Sequence, residues 1–319
     1  SALGRTCLGE ASARGDVEAV TLALRFGAIL DLETSHGSTA LIEAATLGRL
    51  DAVLHLMQAG AHIDRENVSG ETAMTRAAKS GQKEVVVALK RGGARPAYET
   101  SSGKFALSEA AAAGQLHIIT LLLELGARVD HVNRFGQTAL MSAAQSGSLE
   151  AIAALVGHGL PVDYESKKGR TALIEAAISG VFPSIDMLVG CGADINMETR
   201  TEGMTPLMHA CVAGKSHLIT AMVKRGARVD VVGASGALAI CEAARHGNTD
   251  CIRALMVCGA SVDQRNTNGE TALVVAAREG KVDALKTLCD SGAQINFMSP
   301  KVGPPLVEAA RTGHVGAAV

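Results

Sequence analysis

Four residues in the last third of the chain carry side chains of the kind that bind metal ions: Cys241, His246, Cys251 and Cys258. Thiolates and imidazoles are common Zn²⁺ ligands, but the spacings of five, five and seven residues match no usual zinc motif. Cysteine also packs in protein cores as a small apolar residue. We therefore predict that these cysteines belong to the core, and that the chain holds neither a metal ion nor a cofactor.

Carboxylates are plentiful, but they repeat rather than form one constellation. Six aspartates recur at the same place in successive segments: Asp31, Asp64, Asp130, Asp163, Asp230 and Asp263. At the end of an extended segment, an Asp side chain can accept hydrogen bonds from nearby backbone amides. The sequence also has no GxGxxG, P-loop, HExxH or GxSxG motif. We predict that the chain is not an enzyme.

Composition limits the partners and the compartment. The net charge of −2 provides no global attraction for nucleic acid. The seven cysteines are odd in number and form no CxxC pair, which favours reduced thiols in a cytoplasmic protein, with the nucleus as the other intracellular location. The longest apolar stretch, 118–125, is too short to span a bilayer. Aromatic residues are only 2% of the chain, so the core must consist of small aliphatic side chains.

The elements that position these residues come from an internal repeat of about 33 residues. Its first marker is a Thr-Ala-Leu-like triplet, and its second is a glycine nine residues after the triplet begins. The triplets begin at Thr39, Thr72, Thr138, Thr171, Thr205 and Thr271, with degraded copies at Thr6, Phe105, Leu238 and Pro304. The second marker is present in all ten copies, from Gly15 to Gly313.

One unit, residues 37–64, predicts two short helices. Thr39 caps a first helix over 40–47, whose buried face is mostly Ala. Gly48 ends that helix, because glycine readily adopts the left-handed conformation. A second helix over 51–58 buries Val53, Leu56 and Met57. Such short helices need neighbours on both sides for stability.

This pattern resembles the ankyrin repeat family, whose hallmark is T-P-L-H-x-A. The resemblance implies an all-α fold, an α-solenoid of helix-turn-helix units joined by extended β-turn or hairpin loops, in a single domain over 1–319. The hallmark Pro remains only at Pro206 and Pro305, and the hallmark His is absent. We expect the repeats near 1–33, 34–66, 67–99, 100–132, 133–165, 166–198, 199–232, 233–265, 266–298 and, truncated, 299–319.

The last residues of the chain do not have the character of a terminal repeat. Terminal repeats of solenoids usually carry a polar capping face, and Ala317, Ala318 and Val319 are apolar. We therefore expect the chain to be part of a longer protein.

A row of mainly acidic residues, which we call the glutamate row, lies two residues after each triplet and opposite the buried helical face. The resemblance implies that it lines a concave groove, where it could bind a basic, extended peptide. The alternative is that Glu is a good helix former on a solvated face, aided by pairing with Arg245 and Arg311. The candidate groove residues are Glu43, Arg76, Glu109, Ser142, Glu175, His209 and Glu242.

A second candidate surface lies at the turns of the middle repeats, and we call its residues the basic tips. A basic patch with one exposed aromatic suits an acidic or phosphorylated partner, whereas the alternative is solvated loop charge. The basic tips are Arg134, Phe135, Lys167, Lys168, Arg170 and Arg200.

Together these features predict a scaffold or adaptor that binds a partner protein or peptide. The family suggests two alternative settings: a substrate-recruiting domain of a ubiquitin ligase, or the cytosolic domain of a larger membrane channel. Methyl-lysine recognition needs an aromatic cage, which seven aromatic residues without Trp do not favour. We expect neither nucleic-acid binding nor membrane insertion.

Overall fold

The computed structural model of the chain describes residues 6–35, 37–298, 303–314 and 316, so Ala317, Ala318 and Val319 lie outside the described residues. The chain divides into two compact units, Ser1–Pro161 and Val162–Val319. Within the described residues, every regular element is an α-helix and none is a strand. The first unit contains α1 (Cys7–Arg14), α2 (Val17–Arg25), α3 (Ala40–Thr46), α4 (Leu50–Gln58), α5 (Ala73–Lys79), α6 (Lys83–Arg91), α7 (Ala106–Ala112), α8 (Leu116–Glu124), α9 (Ala139–Ser146) and α10 (Leu149–Gly157). The second contains α11 (Ala172–Ser179), α12 (Phe182–Gly190), α13 (Pro206–Val212), α14 (Ser216–Lys224), α15 (Ala239–His246), α16 (Thr249–Val257), α17 (Ala272–Arg278), α18 (Val282–Asp290) and α19 (Pro305–Arg311).

Each unit consists of two layers of helices. In the first unit, α1, α3, α5, α7 and α9 pack on one another in order, and α2, α4, α6, α8 and α10 form the second layer. The second unit repeats the arrangement with α11, α13, α15, α17 and α19 in one layer and α12, α14, α16 and α18 in the other. The predicted all-α solenoid is confirmed.

The odd-numbered helices form where the triplets predicted them. Thr39 caps α3, because its Oγ1 accepts a hydrogen bond from the Ile42 amide at 3.4 Å. Leu41, Ala44 and Ala45 are at most 2% exposed, as the helical-face argument predicted. Their small side chains allow neighbouring helices to approach closely.

The even-numbered helices also lie in the predicted register. Helix α4 covers Leu50–Gln58, one residue longer than predicted. Val53 and Leu56 are fully buried, whereas Met57, which we predicted to be buried, is only half-buried. Its side chain lines a surface groove between α4 and α6.

The missing hallmark histidine is partly replaced by hydroxyl side chains at the same position. Thr75 Oγ1 accepts a hydrogen bond from the Thr72 amide at 2.8 Å, and Ser108 Oγ accepts one from the Phe105 amide at 3.1 Å. Each hydroxyl reaches back to the residue before its helix, as in a capping box. The turns at these two repeats therefore remain regular without the histidine.

The last carbonyls of several odd-numbered helices are capped by the following repeat. The donor is a side chain that precedes the next even-numbered helix, about 36 residues on. A short helix otherwise leaves these carbonyls without a partner. The donor–acceptor pairs are Arg49 with Ala13 at 3.0 Å, Gln82 with Thr46 at 3.4 Å, Gln115 with Lys79 at 3.3 Å, Ser148 with Ala112 at 3.1 Å and Asn248 with Cys211 at 2.7 Å.

A tight turn, which we call a finger, precedes each odd-numbered helix from α3 to α17; the finger before α11 is 166–170. In the finger 67–71, the Asn67 amide donates to the Glu71 carbonyl and the Gly70 amide to the Asn67 carbonyl, both at 2.9 Å. The finger 199–204 has one extra residue, which accounts for the single 34-residue interval between triplets. The other fingers are 34–38, 100–104, 133–137, 233–237 and 266–270.

Neighbouring fingers stack closely at a glycine. Gly169 has φ +73°, and a Cβ built on it would lie 1.8 Å from Thr201 Oγ1 of the next finger. Gly192 also has a positive φ, of +96°, but a Cβ there would meet nothing within 4 Å. A side chain at Gly192 would therefore introduce backbone strain alone, whereas a side chain at Gly169 would also collide with the next finger.

We predict that Gly169→Ala lowers the free energy of unfolding by about 2–3 kcal/mol, through backbone strain and displacement of Thr201. Gly192→Ala should cost only about 1 kcal/mol, because it introduces backbone strain alone. Urea unfolding followed by circular dichroism would measure both values. Equal losses in the two variants would contradict close stacking of the fingers.

Candidate binding surfaces

In the first unit, the glutamate row is a set of side chains at the surface of α3, α5, α7 and α9. Glu43, Arg76 and Ser142 are half-buried, but Glu109 is only 9% exposed. Lys79 Nζ lies 3.3 Å from a Glu109 carboxylate oxygen. The charge of Glu109 is therefore compensated within the unit.

In the second unit, the row is largely covered. Glu175, His209 and Glu242 are 7%, 4% and 8% exposed. Arg245 pairs with Glu242 at 3.3 Å, as the alternative interpretation of the row expected, and also approaches Glu279 at 3.7 Å. The expectation of an open, solvated face is thus wrong for these three residues and for Glu109. A helical wheel places them away from the core of their own helix, but side chains of neighbouring elements cover them.

Elsewhere in the first unit, acidic and basic groups near the row also pair. Glu71 lies 3.1 Å from Lys104 Nζ and 3.6 Å from Arg76 NH1. Burial alone would raise the pKa of Glu71, but the hydrogen bonds from Lys104 and Asn67 outweigh it, so the pKa lies below its usual value. The carboxylate therefore stays ionised and engaged near neutral pH.

His209 is the least exposed titratable group of the row. Its Nε2 lies 3.5 Å from a Glu202 carboxylate oxygen and forms no hydrogen bond with any described residue. Burial lowers the pKa of His209 to about 4; Glu202 opposes this shift, and Arg170 adds to it. The imidazole is therefore neutral near pH 7.

The basic tips of the first unit are held in place by the preceding finger. Arg134 Nε donates to Glu99 Oε1 at 2.7 Å, and its NH2 donates to the Thr100 carbonyl at 2.7 Å. The guanidinium lies 6.0 Å from the Phe135 ring centroid. Phe135 is 39% exposed, which confirms the predicted exposed aromatic.

The basic tips of the second unit are more open. Lys167 and Lys168 are exposed, and the Arg200 side chain is 91% exposed and 3.8 Å from Glu165. The Arg200 amide donates to Glu165 Oε1 at 2.8 Å, so the two fingers that carry these residues are adjacent. Arg170 is half-buried at the base of the first of them. Four cationic side chains therefore lie on two neighbouring fingers.

A ladder of glutamates links successive fingers, and the sequence analysis missed it. Each glutamate precedes a finger, and all but Glu33 accept a hydrogen bond from a backbone amide of the next finger. Glu33 accepts from the Arg65 side chain, which lies two residues before that finger. The sequence signal that could have revealed this ladder is a Glu that recurs at intervals of 33 residues or a multiple of 33. The pairs are Glu33 with Arg65, Glu66 with Ser101, Glu99 with Arg134, Glu165 with Arg200 and Glu198 with Ala234.

Three of the six repeated aspartates, Asp31, Asp163 and Asp263, accept hydrogen bonds from an amide of the following repeat, not from nearby amides as predicted. Asp163 accepts from the Asp194 amide at 3.2 Å, and Asp263 from the Gln294 amide at 3.0 Å. Both acceptors bind an amide 31 residues further along the chain. These aspartates are structural, but their partners lie in the following repeat.

The cysteine and histidine set near the C-terminal end does not converge on one point. The pKa of Cys241 is raised to about 12, mainly by burial, so its thiol stays protonated. Cys258 Sγ contacts Thr220 Oγ1 at 3.7 Å, and His246 Nδ1 contacts the Glu242 carbonyl at 3.0 Å. Across the part of the chain that the structure describes, no group of three or more His, Cys, Asp and Glu side chains is placed to hold a metal ion.

Comparison with known proteins identifies the class that this fold defines. The model of the family described as ankyrin repeats (3 copies) matches residues 1–67, 64–133, 107–199, 184–266, 207–299 and 240–318. The chain therefore belongs to the ankyrin repeat family, whose members are generally protein-interaction modules.

Solved structures agree with this assignment. Of the solved chains, 588 match. One is the crystal structure of the human ASB11 ankyrin repeat domain, which is 26% identical, covers 70% of this chain and 99% of that chain, and gives a TM-score of 0.58. No curated protein matches the chain. Among the described residues, no helix has the length and apolar character needed to cross a membrane.

We predict that the stability of the second unit depends on His209 in acid. Because the pKa is about 4 in the folded state and about 6.5 when unfolded, the unfolded state binds more protons between these values. Stability should be complete above pH 6.5 and fall by up to about 3 kcal/mol as the pH drops to 4.

The test compares urea unfolding of the parent chain and of His209→Leu at pH 7 and pH 4.5. The variant should lose less stability on acidification than the parent chain. Identical pH dependence in the two proteins would show that His209 is not the group responsible.

Proposed function

We propose that this chain is a protein-interaction module, not an enzyme, and that it binds an acidic or phosphorylated segment of a partner protein at the basic tips of its second unit. The observation that carries the proposal is the exposed positive charge on the adjacent fingers 166–170 and 199–204. Lys167, Lys168 and Arg200 are all exposed there.

The pairing of charges elsewhere supports these tips over the glutamate row. Glu109 and Glu242 each have a basic partner within the same unit, at 3.3 Å in both cases. A basic peptide would have to displace those partners and reach carboxylates that are less than a tenth exposed. Lys167 has no ion-pair partner among the described residues, so an incoming anion meets no competitor at that side chain.

The chemistry of the tips favours phosphate or clustered carboxylates. A phosphate group carries close to two negative charges and several acceptor oxygens, and it gains most beside clustered Lys and Arg. Arg170 and Arg200 can donate two hydrogen bonds each to one anion, whereas Lys167 and Lys168 add charge without fixed direction. A segment with one phosphoserine and flanking acids would suit both fingers.

The Lys167→Glu/Lys168→Glu variant should bind acidic and phosphoserine peptides about tenfold more weakly, because it removes two cations and adds two anions. A peptide array followed by fluorescence anisotropy at rising NaCl would measure affinity and its salt dependence. Binding to the parent chain should weaken as salt rises.

The matched control is Lys224→Glu/Lys286→Glu, which makes the same change in net charge at exposed positions on α14 and α18. It should bind like the parent chain. Equal weakening in both variants would attribute binding to overall charge, and no weakening in the first would refute a role for these tips.

We also propose an intracellular location. Cys211, Cys241 and Cys251 are buried with free thiols, and the described structure contains no disulfide that would favour an oxidising compartment. A fluorescently tagged chain should appear in the cytoplasm or nucleus of expressing cells. Accumulation in the secretory pathway would contradict this proposal.

A further inference from the structure

The first unit has an apolar groove on its even-numbered helices, far in sequence from the basic tips of the second unit. It lies between α4 and α6 and has a volume of about 470 Å³. Helix α4 contributes three large apolar side chains, and the facing side of α6 is mostly small or charged. The lining residues are Leu50, Leu54, Met57, Lys83, Glu84, Val87, Ala88, Arg91 and Gly92.

The groove follows from the spacing of these residues. Leu50, Leu54 and Met57 recur at i, i+4 and i+7, so they form one stripe along α4. Gly92 contributes no side chain opposite them, and a Cβ built there would lie 2.0 Å from Met57 Cε. The Met57 methyl group therefore occupies the space that a side chain at 92 would need.

The apolar floor is open to solvent. Leu54 is 38% exposed, and Leu50, Met57 and Val87 are half-buried. Apolar surface that is grouped in a groove, rather than scattered, marks interaction sites on soluble proteins. The repeat fold itself does not need this exposure, because Val53 and Leu56 already supply the buried side of α4.

Two cations flank the floor on α6. Lys83 and Arg91 are exposed and lie at i and i+8, about 12 Å apart along the helix, with Val87 halfway between them. No carboxylate among the described residues pairs with either side chain. Glu84 is beside Lys83, but with Lys90 the helix still carries three cations against one anion. The groove thus presents an order of cation, apolar side chain, cation.

From this order we infer that the groove binds an acidic amphipathic helix of a partner protein. A helix with carboxylates at i and i+8 spans the same 12 Å or so, and an apolar residue at i+4 would lie between them. That residue would enter the groove between Leu54 and Val87, while the carboxylates pair with Lys83 and Arg91. This is the helix-in-groove mode, in which apolar anchors provide affinity and rim charges fix the register.

The test uses a fluorescein-labelled helical peptide with Glu, Leu and Glu at i, i+4 and i+8, titrated with the full chain and followed by anisotropy. A peptide with Lys at both Glu positions should bind at least tenfold more weakly. Arg91→Glu should weaken binding of the first peptide about tenfold, and Leu54→Ser should weaken it by a similar factor.

Lys90→Glu is the matched control, because it makes the same charge change on the neighbouring residue of α6, which does not line the groove. It should change affinity less than twofold. Lys83→Glu provides a second groove variant if Arg91→Glu folds poorly, and circular dichroism melting would check folding of each.

Three results would overturn the inference. The first is no binding of the Glu-Leu-Glu peptide, and the second is equal weakening by Arg91→Glu and Lys90→Glu. The third is a concentration-dependent dimer in sedimentation velocity that Arg91→Glu abolishes, because the occupant would then be a second copy of the chain. The Lys167→Glu/Lys168→Glu variant tests binding at the basic tips, which are a separate surface. Its result has no bearing on the groove between α4 and α6.

Discussion

The structure depends on one constraint: a helix of seven to nine residues cannot satisfy the polar groups at its own ends. The terminal amides and carbonyls of each helix need partners from outside it. The fold supplies them from the following repeat. Gln82 and Asn248 cap carbonyls of the preceding repeat, and the glutamate ladder accepts amides of the following finger. Each repeat therefore completes its neighbour's hydrogen bonding as well as its apolar core.

This constraint also determines which charges remain available for partners. The ladder and aspartate carboxylates bind backbone amides, and Glu71, Glu109 and Glu242 bind Lys or Arg of the same unit. Most acidic side chains are thus engaged inside the array. Lys167 and Arg91 are among the cationic groups that this internal pairing leaves exposed. A binding role is better inferred from such unmatched groups than from any row of repeated residues.

The sequence predicted the parts of the fold that depend on local chemistry. Thr caps, positive-φ glycines and the period of 33 fixed the helices to within about one residue, as α3 and α4 show. Contacts between repeats were harder to predict. The prediction that Glu175 and His209 are exposed was wrong, because a helical wheel represents one helix and ignores its neighbours. The Asp163 bond was assigned to nearby backbone for the same reason, although its partner lies 31 residues away.

Arg134 and Arg200 occupy the same place in different fingers and show that the ladder does not engage each repeat's side chain in the same way. In the finger 133–137, Glu99 accepts both the amide and the guanidinium of Arg134, the latter at 2.7 Å. In the longer finger 199–204, Glu165 still accepts the Arg200 amide, but the guanidinium lies 3.8 Å away. The backbone link between fingers is thus kept while the cation is released to solvent. The same ladder that stabilises each unit therefore holds the arginine inward in one finger and leaves it exposed in the other.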